Sequence, residues 1–221
     1  MSIRKTNFLE GDYHHVYNRG NSKQKIFHDK QDYKHFVDLL YLLNTKENLK
    51  IFHLKRSDTF SVYEFDIKDN LVLIGAYCLM PNHFHILITQ NENGDVSKFM
   101  QKVTTAYVMY YNKKYKRTGS LFEGKFKSKH INKDTYLKYL FSYIHLNIIK
   151  LLNKNWKENG IQDKKQALDY LKKYEYSSYL DYLGIKRDQN KILDVGAFPK
   201  YFPEKEYLNQ EIFDWLSYKD L

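Results

Sequence analysis

The segment YCLMPNHFHILITQ, residues 77–90, limits what this chain can fold into more than any other. Read as a β-strand, HFHILITQ turns His83 and His85 to one face and Phe84, Ile86 and Ile88 to the other, because successive side chains alternate across a strand. One face can join a core while the opposite face carries two imidazoles side by side. Pro81 and Asn82 turn the chain out of the preceding apolar run, LVLIGAYCLM, so two consecutive strands are expected there.

The flanking pattern supplies the rest of a sheet. DYHHVYNRG reads as a first strand leading into a polar loop, and FSVYEFDI as another strand. Helical spacing of Phe36, Leu39, Leu40 and Leu43 predicts a helix over 32–43 with Asp32 as its cap. A second helix is expected over 96–113, ending in basic residues that suit its C-terminal dipole. SLFEGKFKSKHI reads as a strand with Lys125, Lys127 and Lys129 on one side, and Asp134 as the cap of a helix running TYLKYLFSYIHLNIIK. This order predicts an α+β fold, a ferredoxin-like antiparallel sheet covered by helices. From about Lys154 the composition changes, so residues 154–221 read as a C-terminal helical extension packed on a unit formed by residues 1–153.

Charge narrows the class of partner. The 221 residues carry a net +10, and between Tyr111 and Lys133 eight lysines and arginines face a single acid, Glu123. Concentrated cations beside aromatic residues suit nucleic acid, since they displace phosphate counterions while rings stack on exposed bases. The longest apolar run is too short to span a bilayer, the N-terminus lacks the apolar segment of a signal peptide, and Cys78 has no second cysteine to pair with. These features exclude a membrane-spanning helix and an internal disulfide and lead us to expect a cytoplasmic protein.

Two imidazoles at i and i+2 on a strand can share one metal ion, but a third donor is needed to separate a site from ordinary half-buried histidines. Tyr143 and Asn147 stand one helical turn apart on one face. If Asn147 completes a metal site, the Tyr143 hydroxyl is held beside it. Such a hydroxyl, with a reference pKa of about 10, needs activation to attack a phosphodiester, yet it leaves readily in the reverse step. Tyr139, one turn earlier, competes for the same role.

Together, MPNHFHILI, LFEGKFKSK and YLFSYIHLNIIK resemble the single-tyrosine HUH transposases, and within them the REP-associated tyrosine transposases of bacteria. The resemblance runs from about Gly11 to Leu152, and the later YEYSSYLDYLG is similar to a segment many relatives carry. It implies that residues 1–153 are a catalytic domain with a ferredoxin-like palm, that His83, His85 and Asn147 hold Mg²⁺ or Mn²⁺, and that Tyr143 is the nucleophile. Imidazoles by themselves would favour a transition metal such as zinc. The implied substrate is single-stranded DNA with a hairpin, cut by transesterification through a 5′-phosphotyrosine. Relatives often have proline after the asparagine, whereas Ile148 stands here, so the helix is expected to continue past Asn147.

Candidate DNA contacts are Asn18 and Arg19 in the first loop, Arg117, and Lys125, Lys127 and Lys129. A second reading remains open, in which the chain is a non-catalytic single-stranded nucleic-acid-binding module whose histidines are structural. Monomer and homodimer both occur in the family it resembles.

Overall fold

The computed structural model describes residues 8–47, 61–92 and 94–217. Residues 1–7, part of the N-terminal reading above, and Phe60 of the expected second strand lie outside them. At the centre is a four-stranded antiparallel sheet ordered β2-β3-β1-β4, from β1 (Tyr13–Arg19), β2 (Val72–Met80), β3 (His83–Gln90) and β4 (Lys127–Ile131). With α1 (Lys30–Leu42) between β1 and β2 and α2 (Val96–Lys114) between β3 and β4, this is the expected α+β, ferredoxin-like arrangement.

Alternation along the strands builds two cores. Val16, Ile74, Phe84, Ile86 and Ile88 point to one face and pack with Phe36, Leu40, Phe99 and Val103 of the two crossover helices. Cys78, Met80 and Leu87 point to the other, where α3 (Asp134–Leu146) covers the sheet with Leu140 and Ile144. Beyond it come α4 (Trp156–Asn159), α5 (Lys164–Lys173), α6 (Tyr179–Tyr182) and α7 (Lys205–Ser217), and Leu171, Tyr179, Leu208 and Ile212 bury themselves in that second core. Gly75 makes room for it. At this position, beside a break in the β2–β3 register, a Cβ would lie only 2.8 Å from the Phe198 ring.

Several local expectations give way to side-chain chemistry. Asp29, not Asp32, caps α1, its carboxylate accepting from the Asp32 N–H at 3.0 Å. Asp32 is instead buried, where it accepts from Lys114 at 2.7 Å, from the hydroxyls of Tyr115 at 2.7 Å and Tyr110 at 3.0 Å, and from the His28 N–H at 2.8 Å. Burial would raise its pKa, but this ring of donors holds it below the usual carboxylate range. The segment read as the strand FSVYEFDI holds a 3₁₀ turn, Val62–Glu64, because Ser61 accepts from the Tyr63 N–H and caps it. β4 occupies only the end of SLFEGKFKSKHI, so Lys125 precedes it.

The start and exit of α3 also differ from expectation. Asp134 is the first helical residue, not a cap, and accepts from the Tyr201 hydroxyl. At the other end the α-helix stops at Leu146 and tightens into a 3₁₀ segment, Asn147–Leu151. The Asn147 side-chain amide donates to the Tyr143 carbonyl at 2.8 Å, competing with the backbone ladder, so the turn forms without proline.

The edge of β2 is covered by the chain after α5. Leu79 N–H donates to the Tyr176 carbonyl, Ser178 N–H to the Tyr77 carbonyl, and Tyr77 N–H to Ser178 Oγ at 2.9 Å. Arg187 locks this strap, its guanidinium forking onto Asp181 and reaching the carbonyls of Glu175 and Ser177.

Burial also leaves five histidines uncharged. Desolvation pushes His14, His15 and His83 down to about 4, His145 to about 3, and His85 well below its ordinary value. The unfolded chain binds protons at these groups below about pH 6.5, whereas the folded protein does so only near pH 4 or lower. Their contribution is therefore complete above pH 6.5 and is lost as pH falls, at up to about 1.4 kcal/mol per pH unit for each histidine. Urea unfolding is expected to show a midpoint well below its pH 7.5 value by pH 5. An equal midpoint at both pH values would contradict this burial.

Candidate active site

The sheet's second face gathers the residues singled out above. Strand pairing sets Tyr17 opposite His85 and Arg19 opposite His83, so β1 and β3 present Tyr17, His83 and His85 together. The two rings of the histidine pair meet edge to face with centroids 5.0 Å apart. α3 crosses above them and lowers Tyr143 onto the cluster, its ring 5.8 Å from that of His85. Asn147 follows one turn later and is bonded to the Tyr143 carbonyl, with Lys150 Nζ 3.3 Å from its Oδ1.

One further residue belongs here. His15 of β1 is buried against His85, its Nε2 2.8 Å from His85 Nδ1, the rings stacked at 5.0 Å, and it contacts Tyr143 edge to face at 6.0 Å. Its side chain was visible in DYHHVYNRG, and alternation turns His15 and Tyr17 to the same face. Only the β1–β3 register reveals that this face is the one bearing His85.

The hydrogen bonds bear on what the histidines can hold. His83 Nδ1 lies 2.6 Å from Asn82 Oδ1, an acceptor, so Nδ1 carries the proton and Nε2 has a free lone pair. When His85 Nδ1 donates to His15 Nε2, His85 likewise keeps Nε2 for a ligand. Burial, with Lys150 close by, keeps both imidazoles neutral. The expected third donor, Asn147 Oδ1, accepts from the Lys150 ammonium. This all-neutral set fits a divalent ion. Among the described residues no group of three or more His, Cys, Asp and Glu side chains could hold a metal, so a site here would have to draw a further donor from the Asn147 amide.

Burial raises the Tyr143 pKa, and the Asn147 amide offsets part of that rise. Lys157 sets its ammonium over the Tyr143 ring, 4.7 Å from the centroid. Tyr139 is turned away from the histidines, packing on Trp215 at 4.8 Å.

The basic residues divide. Lys129 pairs across β1 with His15 and Lys127 with Tyr17, so both project on the face that carries the histidines. Lys129 lies over the Tyr136 ring at 4.3 Å, and Lys125 is exposed just before β4. Arg19 pairs with Glu123 at 2.5 Å, and Arg117 stacks on Tyr111 at the end of α2. Asn18 is buried, its amide donating to the Gly124 carbonyl at 3.0 Å and its oxygen accepting from the Arg19 N–H, so it braces the loop that leads to β4. No helix among the described residues is long and apolar enough to cross a membrane.

Comparison with known proteins agrees with the fold. Residues 42–147 match the family model described as Transposase IS200 like. A solved structure described as the REP-associated tyrosine transposase bound to a REP hairpin superposes with a TM-score of 0.54 at 13% identity, over 86% of this chain and 90% of that one. No curated protein matches. Mn²⁺ binding followed by calorimetry is expected to weaken about 10- to 100-fold in His15→Ala, the usual cost of losing a ligand's hydrogen-bond partner. An unchanged affinity would make His15 a packing residue only.

Proposed function

Because residues 42–147 match the IS200-like transposase family model, we propose that this protein is a metal-dependent single-stranded DNA endonuclease and strand transferase acting at hairpin-flanked sites. The observation that carries the proposal is Tyr143 seated on the His15–His85 pair, with Asn147 one turn away. In this reading residues 1–153 form the catalytic domain and 154–221 an extension that completes its surroundings. On the same reading the protein works in the cytoplasm and its partner is single-stranded DNA carrying a hairpin, a partner supported by the structurally similar REP-associated tyrosine transposase, which is bound to a REP hairpin.

His83, His85 and Asn147 would hold Mg²⁺ or Mn²⁺, which supplies Lewis-acid polarisation of the scissile phosphate. Tyr143 attacks that phosphate: an Oη–P bond forms and the P–O3′ bond breaks, leaving the 5′ side on the protein, while the proton lost from Oη ends on the departing O3′ as the 3′ hydroxyl of the released strand. Since burial raises the Tyr143 pKa, the hydroxyl reaches the phosphate protonated, and the Lys157 ammonium over the ring favours the negative charge that develops as the proton leaves. Attack by another 3′ hydroxyl on the phosphotyrosine reverses the step and joins strands. Lys127 and Lys129 of β4 and Lys125 just before it hold the DNA backbone, with Arg19 and Arg117 as outlying phosphate contacts and Asn18 bracing the loop that leads to β4.

The test mixes the protein with labelled single-stranded hairpin DNAs from around its gene and looks for a denaturation-resistant adduct. An adduct formed with Mn²⁺ and abolished, by at least about 100-fold, with EDTA or in Tyr143→Phe is expected. Cleavage without an adduct would instead indicate a water nucleophile. Tight binding without cleavage of any hairpin would indicate a non-catalytic binding module.

A further inference from the structure

A cavity of about 170 Å³ opens beside Tyr143 and Asn147, where α3 meets the C-terminal extension. Its wall includes Tyr139 and Tyr143 of α3, Trp156 of α4, Trp215 of α7, and the ammonium-bearing side chains of Lys150 and Lys157. Both tryptophans of the chain therefore stand in this one wall. Lys157 lies over the rings of both Tyr143 and Trp156, at 4.7 Å and 5.8 Å from their centroids.

Aromatic faces beside cations are the recognition chemistry of unstacked bases on a phosphate backbone. The size selects among them. A cavity of about 150 Å³ accommodates one benzene ring, so this one suits a single six-membered ring better than a fused pair.

We propose that this cavity holds an unstacked pyrimidine base of the DNA strand, in the nucleotide flanking the phosphate that Tyr143 attacks. Residues 154–221 thereby become part of sequence selection, since Trp156 and Trp215 both come from them. The placement of the base beside the cleaved bond rests on the reading of Tyr143 as nucleophile. The pocket itself can be tested without any cleavage.

Because both tryptophans line the cavity, intrinsic fluorescence reports on it alone. Single-stranded (dT)₅, (dA)₅ and an abasic pentamer of equal charge are titrated into Tyr143→Phe protein in EDTA, so that no reaction intervenes. Saturable quenching by (dT)₅, at least about tenfold tighter than by (dA)₅ and absent with the abasic chain, is expected. Trp215→Ala is expected to weaken (dT)₅ about tenfold, while Trp215→Phe, which keeps a ring, retains binding and the Trp156 signal. Equal quenching by the abasic chain, or equal affinity for (dA)₅, would overturn the pyrimidine site. Adduct formation by the wild-type protein with no base-dependent quenching would overturn the site and leave the transposase reading standing. Quenching without any adduct would support the site and overturn the enzyme.

Discussion

The antiparallel pairing of β1 with β3 in the middle of the sheet is the constraint on which the site depends. Its register sets Tyr17 beside His85 and Arg19 beside His83, and brings His15 within hydrogen-bonding distance of His85. A slip of one residue would turn His15 into the core of α1 and α2, and Val16 out of it. Burying Phe84, Ile86 and Ile88 therefore fixes the histidines as well, since the same alternation that fills one core aims the imidazoles at α3. Burial then keeps them neutral, the state in which a histidine can donate a lone pair.

On the other side of the site, α3 supplies what the sheet lacks. Its Leu140 and Ile144 anchor it to the second core, and the face between them and solvent carries Tyr143 over the histidines. Asn147 ends the α-helix by bonding back to the Tyr143 carbonyl, so one side chain both closes the helix and turns its oxygen to the Lys150 ammonium. The strap locked by Arg187 on the β2 edge, together with α7, holds the rest of the C-terminal segment against this arrangement. That is why two tryptophans distant in sequence can share one wall with the tyrosine.

What could be read from the sequence was what local periodicity determines. Alternation assigned His83 and His85 to one face, and helical spacing put Tyr143 and Asn147 one turn apart. The antiparallel sheet covered by helices followed from the succession of strands and helices. What could not be read depended on partners remote in sequence or on side chains competing with the backbone. His15 joins the site through cross-strand pairing, Trp156 and Trp215 through the docking of the extension, and Asp32 is a buried hub because Lys114 and Tyr115 return to it from α2. FSVYEFDI alternates like a strand, yet one hydroxyl, that of Ser61, is enough to wind it into a turn.

The central claim is that Tyr143, and not its neighbour Tyr139, is the residue the histidine cluster serves. The most direct measurement is to trap the protein–DNA adduct, digest both components, and sequence the nucleotide-bearing peptide by mass spectrometry. The account predicts a phosphodiester on Tyr143 within the peptide that follows Lys138. Attachment at Tyr139, or at a tyrosine outside α3, would contradict it.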